Sequence, residues 1–499
     1  MTCTYENGIM NAEVIGMFKI NPYRPGAGLM PTYLAGRDAD MDAIRDLLDA
    51  LKLGIPTQSV IFSGLRGVGK TVLINKLQEI AEEKGIFCKH IEVEERKDFI
   101  SQIASCSQAF LRQISTAEKF KSLIQKPLDA IKSLIVSFDP DGNTFSLSLQ
   151  ERELYRTSNL TQSLTDVFTA LGETAYKTES PLCFFIDEIQ LMDKFEDVVN
   201  GIKTDFNCDL YITGSNSKLL SSEINTKLRG RGIEIKVYPL SFKEFYDGKT
   251  DKNTAFNEYI KYGGLPYINS LDKEYEKHEY LKMINDTVAT KDIIDRNKIR
   301  NEEVFNAVID LLCSQIGCYV SPNKIANTLV SNGFKTVDND TVSNYLKYLC
   351  DAFLFYKAVR YDLKGKEYLK TLNKYYICDL GLRNQRLGYR QMEMTHIIEN
   401  IVYLELLRRN YQVDIGKNKE SEIDFVVRSH DDLYYIQVSL SIENESTRMR
   451  EENAFKGLDD GYKKIIITMD NNPLIHLERG YKMLNLFDFL LNENILKSI

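Results

Sequence analysis

The most constraining feature of this 499-residue chain is a glycine-rich segment that joins an apolar run to a helical pattern. Ser59 to Ser63 form the apolar run, and apolar residues return at helical spacing from Val72 to Lys84. Between them the spacing G-x-x-x-x-G-K-[ST] is met by Gly64-Leu65-Arg66-Gly67-Val68-Gly69-Lys70-Thr71. In such a loop backbone N–H groups turn onto phosphates, and the next helix adds positive potential at its N-terminus. The segment therefore predicts a phosphate site.

Two side chains of this loop have predicted roles in nucleotide chemistry. Lys70 would bridge the β- and γ-phosphates, and Thr71 would hold Mg²⁺. A chance glycine turn before a helix is the alternative, and the full motif in its strand-to-helix context disfavours it. We therefore expect ATP and Mg²⁺ as cofactors.

A second apolar strand ends in two acids. Leu182 to Ile186 are all apolar, which is typical of a strand buried on both faces, and Asp187 and Glu188 follow. Carboxylates at this end lie where open parallel sheets bind nucleotides. Asp187 would orient Mg²⁺ through water and Glu188 would polarise the attacking water, which predicts hydrolysis. A polar strand end without a catalytic role is the alternative.

Strand-like runs alternate with helical patterns over the first half of the chain. Runs recur at Ile86-Cys88, Leu182-Ile186 and Leu210-Thr213, and a helical pattern extends from Asp40 to Leu53. The alternation predicts an α/β fold with a parallel sheet covered on both faces. Within it, residues 138–149 read as an inserted hairpin.

These motifs resemble an AAA+/STAND-type P-loop ATPase. The opening segment Leu34-Ala35-Gly36-Arg37-Asp38 is similar to one prokaryotic branch, in which this stretch lies by the adenine, so the resemblance places Gly36 and Arg37 there. Beyond Asp187 the chain resembles ATPases with a C-terminal domain called DUF4143. The matching segments are Asp187-Glu188-Ile189-Gln190, Tyr211-Ile212-Thr213-Gly214-Ser215-Asn216-Ser217, Leu228-Arg229-Gly230-Arg231, Tyr238-Pro239-Leu240-Ser241-Phe242 and Tyr262-Gly263-Gly264-Leu265-Pro266.

The resemblance implies further site residues. Ser215 or Asn216 would sense the γ-phosphate. Arg231, or Arg229, would act as an arginine finger in a neighbouring subunit, which implies a homo-oligomer. Both arginines as solvated surface charges remain the alternative.

Residues 300–374 have the order helix, helix, helix, hairpin and look like a winged helix, with Asp340 expected to cap the third helix. The expected strands are Phe353-Arg360 and Tyr368-Cys378. Basic residues outnumber the acids Asp362 and Glu367 in this hairpin; they are Lys357, Arg360, Lys364, Lys366, Lys370 and Lys374. Such a patch suits DNA phosphates, and a protein-binding or lid element is the alternative reading.

The end of the chain resembles the DUF4143 terminal domain, whose core is like that of PD-(D/E)xK nucleases. Glu399 (or Glu405) and Asp424 match its acids, but Gln437 stands at the second acidic position and Ser439 stands where lysine belongs. Metal-dependent cleavage needs those charges, so we expect no nuclease activity. Lys417 and Lys419 precede the Asp424 strand, and a lysine from elsewhere is the alternative source of the missing cation.

We expect a division into an N-terminal arm (1–33), an AAA+-like ATPase domain (34–245) with an insert at about 95–180, a helical lid or linker (246–299), a winged helix (300–390) and a nuclease-like domain (391–499). Composition agrees with a cytoplasmic protein: a net charge of −8, scattered cysteines, no metal spacing among the histidines, no signal peptide and no membrane-length apolar run.

Three functions remain open at this point. The first is an ATP-hydrolysing switch or motor that acts on DNA. The second is an ATP-gated oligomeric scaffold or signalling protein with slow turnover. The third is an ATP-dependent nuclease of a mobile-element or defence system.

Overall fold

A computed structural model describes residues 38–55, 59–93, 99–115, 121–138, 160–189, 208–215, 232–335, 337–390, 393–419, 421–430, 432–471, 477 and 480–498. Several predicted features lie outside these residues: the N-terminal arm, Gly36, Arg37, nearly all of the hairpin at 138–149, Asn216, Arg229 and Arg231.

The first part of the described chain alternates helices and strands. Its helices are α1 (Asp38–Lys52), α2 (Lys70–Glu83), α3 (Phe99–Ile114), α4 (Lys121–Phe138) and α5 (Leu160–Lys177). Its strands are β1 (Ser59–Ser63), β2 (Phe87–Glu92), β3 (Leu182–Asp187), β4 (Cys208–Gly214) and β5 (Gly232–Lys236). The strands and helices predicted around the phosphate loop and the acidic strand are confirmed.

These five strands form one parallel sheet in the order β2-β3-β4-β1-β5. Strand β4 separates β1 from β3, and Ile186 pairs with Ile212 across the β3–β4 boundary. Because every strand runs in the same direction, the phosphate loop after β1 and the acids after β3 meet at one edge.

Alternate side chains of β3 enter different cores, which explains why this strand is apolar throughout. Cys183 and Phe185 pack with α1 and α2 on one face. Phe184 and Ile186 pack with α3, α4 and α5 on the other. Each face is thus covered by helices, as predicted for a buried parallel strand.

The second part of the described chain follows β5 and contains most of the helices of the described residues. They are α6 (Phe242–Tyr246), α7 (Lys252–Tyr262), a 3₁₀ helix (Pro266–Ser270), α8 (Glu274–Thr287), a π-helix (Val288–Asp295), α9 (Glu302–Ser314), α10 (Pro322–Ser331), α11 (Asn339–Asp351), α12 (Leu380–Arg386), α13 (Met394–Arg408), α14 (Glu445–Ala454), α15 (Leu486–Leu491) and α16 (Ile495–Ser498). The strands are β6 (Tyr319–Val320), β7 (Phe355–Asp362), β8 (Glu367–Ile377), β9 (Gln412–Asn418), β10 (Ser421–Arg428), β11 (Leu433–Ser439), β12 (Lys463–Thr468) and β13 (Lys482–Asn485).

A single eight-stranded sheet joins segments that the sequence assigned to separate domains. Its order is β13-β12-β11-β10-β9-β7-β8-β6. The junction is a parallel pairing of β7 with β9, in which Arg360 pairs with Ile415 and Asp362 with Lys417. The β7–β8 hairpin is therefore continuous with the C-terminal strands.

The cap of α11 differs from the prediction. Asp338 is the N-cap, and its Oδ1 accepts a hydrogen bond of 2.7 Å from the backbone N–H of Thr341. Asp340 lies inside the first turn, where its charge favours the helix N-terminus without capping it. Spacing alone did not distinguish the two aspartates.

Among the helices of the described residues, none has the length and apolar character that crossing a membrane requires.

Candidate active site

The loop between β1 and α2 requires glycine at two positions for different reasons. Gly69 precedes α2 with φ of 94°, in the left-handed region that side chains disfavour. Gly64 lies against the chain after β5, where an added Cβ would come 2.1 Å from the carbonyl oxygen of Val237. The loop is therefore built as the motif predicts.

Lys70 is buried at the start of α2, with 4% of its surface exposed. Its ammonium donates hydrogen bonds to the carbonyl oxygens of Gly64 (3.0 Å) and Leu65 (2.9 Å). Burial lowers the pKa of Lys70, and the nearby charges of Glu188 and Asp187 partly oppose this shift. The structure thus brings the predicted cation of the loop to the predicted acids of β3.

Asp187 is oriented by the neighbouring strand. The hydroxyl of Thr213 on β4 donates to Oδ1 of Asp187. The backbone N–H of Glu188 donates to the same oxygen (3.1 Å) and to Oγ1 of Thr213 (3.0 Å). Both of these bonds to the carboxylate end on Oδ1. Thr213 belongs to a strand end predicted from the sequence, which assigns it no role.

Glu188 has an unusual backbone. Its φ is 56°, in the left-handed region, although it is not glycine. Such a conformation costs about 1–3 kcal/mol and persists only where surrounding contacts enforce it. Here the two hydrogen bonds made by its N–H supply that restraint. They aim the side chain toward the phosphate loop.

Ser215, a predicted sensor of the γ-phosphate, is buried directly after β4. The preceding carbonyl, that of Gly214, accepts from the N–H of Gly64 at 3.3 Å. The end of β4 therefore borders the phosphate loop. Thr71 lies in the first turn of α2, next to Lys70. The hydroxyl of Thr71 and the carboxylate of Asp187 are oxygen donors of the kind Mg²⁺ prefers, so these residues fit the expected ion.

Arg66 connects this site to the helices that follow it in the chain. Its Nε donates to Oδ2 of Asp292 at 2.9 Å, and its Nη2 donates to Oδ1 at 3.1 Å. The same Nη2 lies 3.4 Å from Oε2 of Glu188. The motif places Arg66 in the phosphate loop, and nothing in the sequence indicates its contact with Asp292. No local pattern links two residues separated by 226 positions.

The segment 263–295, which we call the lid, lies against the phosphate loop. A Cβ at Gly67 would contact the hydroxyl of Tyr280 at 3.3 Å and Cδ1 of Ile284 at 3.4 Å, both on α8. Asp379, from the segment that precedes α12, also binds the lid: its Oδ2 accepts a hydrogen bond of 2.7 Å from the N–H of Gly264. The lid therefore contacts both the loop and the C-terminal half.

Three of the four predicted nuclease-like residues lie together. Glu399 and Asp424 lie close enough for their charges to interact. Gln437 accepts from the N–H of Asp424 (2.8 Å) and donates to Glu451 (2.7 Å). Ser439 donates to the carbonyl oxygen of Ser441 at 3.1 Å. Gln437 and Ser439 thus serve in structural hydrogen bonds.

Lys374 provides the cation that Ser439 does not. It extends from β8, is 4% exposed, and places Nζ 2.8 Å from Glu399 and 2.5 Å from Glu422. Tyr376 also donates to Glu399, at 2.6 Å. Burial and the charge of Glu399 raise the pKa of Asp424. We call Lys374, Glu399, Glu422 and Asp424 the C-terminal polar cluster.

Other groups engage part of the acids in the C-terminal polar cluster. The Lys374 ammonium and the Tyr376 hydroxyl both donate to Oε1 of Glu399, and Lys374 also pairs with Glu422. No group of three or more His, Cys, Asp or Glu side chains within the described ranges is arranged to hold a metal ion.

Other predicted participants lie elsewhere. Glu405 pairs with Arg408 (2.6 Å) and Arg409 (2.8 Å). Lys417 lies 3.7 Å from Asp362. These contacts draw both groups into other ion pairs.

The β7–β8 hairpin has fewer free cations than its sequence suggests. Lys364 and Lys366 are exposed at its turn, whereas Lys374 is buried in the polar cluster. Asp362 folds the turn by accepting from the N–H groups of Lys364 and Gly365, each at 3.0 Å. The side chain of Lys370 lies outside the described part of the chain.

Comparison with known proteins identifies two family matches. Residues 121–246 match a family described as an AAA domain. Residues 253–393 match a domain of unknown function (DUF8612). The second match covers the lid and the β7–β8 hairpin and ends before most of the segment that resembles DUF4143.

Two uncharacterized proteins are similar over much of their length. One, from Haemophilus influenzae, is 40% identical over 327 residues, which are 64% of this chain and 80% of the relative. The other, MJ1544 from Methanocaldococcus jannaschii, is 32% identical over 351 residues, with 64% and 78% of the two chains covered.

Two solved structures are similar at low identity. The Aeropyrum pernix ORC1 protein in complex with DNA has a TM-score of 0.30 and 16% identity, covering 72% of this chain and 94% of that one. The Thermotoga maritima RuvB Holliday junction branch migration motor has a TM-score of 0.29 and 14% identity, covering 72% and 96%.

Proposed function

We propose that this chain hydrolyses ATP with Mg²⁺. The chain belongs to the same family as the uncharacterized proteins of Haemophilus influenzae and Methanocaldococcus jannaschii. It carries an AAA-type P-loop ATPase domain. The supporting observation is that buried Lys70 lies beside Asp187 and Glu188 at the carboxyl edge of the parallel sheet. A loop that only bound phosphate would not need the second acid.

Each residue has a definite task in this proposal. Lys70 would contact the β- and γ-phosphates, and Thr71 and Asp187 would hold the Mg²⁺. When bound, the ion would neutralise charge that develops on the phosphate oxygens. Thr213 fixes the orientation of Asp187 through its hydroxyl. Glu188 accepts a hydrogen bond from the attacking water and takes its proton.

Steady-state ATP turnover tests this proposal. Lys70→Ala should abolish nucleotide binding or nearly so, because a charge-assisted phosphate contact is lost. Glu188→Gln should keep binding and reduce turnover by at least about 100-fold. Glu92→Gln is the matched control, since Glu92 is an exposed acid that pairs in register with Asp187 on the next strand. Equal rates in wild type and Glu188→Gln would contradict the proposal.

We further propose that the ATPase works as a switch or motor in a homo-oligomer. Gly36 and Arg37 would border the adenine, Ser215 or Asn216 would sense the γ-phosphate, and Arg231 would reach the site of a neighbouring subunit. Mass measured with and without ATP tests the assembly. A monomer under both conditions, with undiminished turnover in Arg231→Ala, would contradict this arrangement.

DNA is the partner we propose for a winged helix at 300–390. The observation that favours it is the pair of exposed lysines, Lys364 and Lys366, at the turn of the β7–β8 hairpin. Lysines at the turn of the hairpin would neutralise DNA phosphates and would not recognise a particular base sequence. A protein partner is the competing outcome, and binding to duplex DNA at low salt distinguishes the two.

For residues 391–499 we propose a DUF4143-like domain that keeps a nuclease-like fold without its chemistry. The occupied carboxylates of the C-terminal polar cluster support this reading. The domain would serve to position the β7–β8 hairpin, with which it shares a sheet.

A further inference from the structure

The guanidinium of Arg66 stands between two carboxylates that belong to different parts of the molecule. Asp292 comes from the π-helix of the lid and is 3% exposed; it engages Arg66 through two hydrogen bonds. Glu188 comes from the end of β3 and reaches Nη2 only at 3.4 Å. The closer, two-point contact is therefore the one with the lid.

Other charges also surround Glu188. Lys70 and Arg296 lie close enough for their charges to interact with it, and Asp187 adjoins it in the chain. Burial lowers the pKa of Arg66, but its hydrogen bonds to Asp292 and the charges of Glu188, Asp292 and Asp187 outweigh burial and raise it. Arg66 is thus a permanent cation that several anions share.

A catalytic glutamate needs an oxygen that is available to water. A carboxylate held by both arms of a guanidinium has its lone pairs occupied and its proton affinity reduced. We propose that Asp292 keeps Arg66 from capturing Glu188 in this way, so that contact between the lid and the phosphate loop sets the rate of ATP hydrolysis. This inference rests on the proposed ATPase function.

The lid is placed to transmit a signal from the C-terminal half. Asn285, buried on α8 only seven residues before Asp292, donates to the carbonyl oxygen of Leu382 (3.0 Å) and to the side chain of Gln385 (2.6 Å) on α12. Helix α12 directly follows the β7–β8 hairpin. A partner that displaces the hairpin would move α12 and, through the hydrogen bonds of Asn285, the lid segment that carries Asp292.

Asp292→Asn tests the competition. The variant removes the charge that holds Arg66, and Arg66 should then pair with Glu188. We expect kcat to fall about tenfold while the Kd for a fluorescent ATP analogue stays within about twofold. Asp292→Glu should restore most of the rate, because it returns the charge. Asp295→Asn, an exposed acid on the same helix, is the matched control and should leave kcat unchanged.

The double variant Arg66→Met/Asp292→Asn gives the decisive comparison. If Arg66 traps Glu188, removing it should raise kcat at least about fivefold above that of Asp292→Asn alone. A purely structural role predicts a further loss, and that loss would overturn the inference. An unchanged kcat in Asp292→Asn would overturn it as well. Asp292→Ser replaces Asp292→Asn in both comparisons if the asparagine variant does not fold.

The test separates this inference from the proposed function. If Glu188→Gln loses turnover and Arg66→Met/Asp292→Asn does not recover it relative to Asp292→Asn, ATP hydrolysis is supported and the role of Asp292 is rejected. Equal turnover in wild type and Glu188→Gln rejects both.

Discussion

The hydroxyl of Thr213 donates a hydrogen bond to Oδ1 of Asp187, and this bond joins two neighbouring strands at the edge where the nucleotide is expected. Both residues are buried. The orientation of the acid thus depends on β4 as well as on its own strand.

Thr213→Val keeps the shape of the side chain and removes the hydroxyl. The variant removes the hydroxyl that bonds both Oδ1 of Asp187 and the N–H of Glu188 and leaves the 3.1 Å bond between these two groups, so it should cost about 1–3 kcal/mol of stability. Because Asp187 keeps only one of the two bonds that orient it, we expect kcat to fall about tenfold. Urea denaturation and ATP turnover measure the two effects.

Ser63→Ala is the control for Thr213→Val. Ser63 is also a buried hydroxyl at this edge, but it donates to Glu234 on β5 at 2.8 Å. Its removal should change kcat by less than about threefold. Similar losses of kcat in both variants would mean that the hydroxyls act through general stability.

The exposed lysines of the β7–β8 hairpin predict how DNA binding should depend on salt concentration. Lys364→Glu/Lys366→Glu should weaken binding to duplex DNA and reduce the slope of log K against log salt by about 0.9 for each lost contact. Fluorescence anisotropy over a salt series measures the slope. Lys497→Glu, at an exposed lysine of α16, should leave it unchanged. An identical slope in the double variant would favour a protein partner.

The ion pairs of the C-terminal polar cluster predict how a change at Lys374 should affect the free energy of unfolding. Lys374→Met removes the ammonium that pairs with Glu399 and Glu422 and leaves the buried Glu399 with the neutral Tyr376 hydroxyl and with His396, which should cost about 3–5 kcal/mol. Adding Glu399→Gln should recover part of this loss. Lys366→Met, exposed in the same hairpin, should stay within about 0.5 kcal/mol of wild type. Equal urea midpoints for all variants would contradict the assigned ion pairs.

The same cluster predicts the absence of nuclease activity. Purified protein should leave plasmid and single-stranded DNA intact with Mg²⁺ or Mn²⁺, with or without ATP, because Lys374 and Tyr376 engage Glu399 and Gln437 stands where a second acid is needed. Cleavage that disappears in Asp424→Ala and survives Lys70→Ala would show that the domain is active.

The buried carboxyl group of Asp379 predicts how the stability of the fold should depend on pH. Burial raises its pKa to about 6, although backbone N–H donors from Gly264 and Leu382 oppose the shift. Since the folded pKa exceeds the unfolded one, this group favours folding more as pH falls through 6. The stability of wild type relative to Asp379→Asn should therefore grow by about 1 kcal/mol from pH 7 to pH 5. A constant difference between the two proteins would contradict the raised pKa.

Much of the candidate site at the sheet edge could be predicted because its motifs are local. The phosphate loop, the apolar strand β3 and its two acids each lie within one continuous segment, and periodicity assigns the neighbouring elements. The cap of α11 was placed two residues away, because Asp338 and Asp340 have the same chemistry and differ only in backbone conformation.

The C-terminal half was harder to predict because its contacts span long sequence distances. Lys374 meets Glu399 and Glu422 from a strand that the sequence assigned to another domain. The parallel pairing of β7 with β9 that brings them together leaves no periodic signature in either strand.

The sequence by itself determined the chemistry at the sheet edge, because a phosphate loop needs particular residue types at consecutive positions and a buried parallel strand must be apolar throughout. Only the tertiary structure decided which charges meet there. Arg66 joins Asp292 across 226 positions, and Lys374 of β8 pairs with Glu399 on α13 and Glu422 on β10. Such pairings depend on how the elements pack, since charges interact according to distance in space and the order of residues along the chain does not specify it.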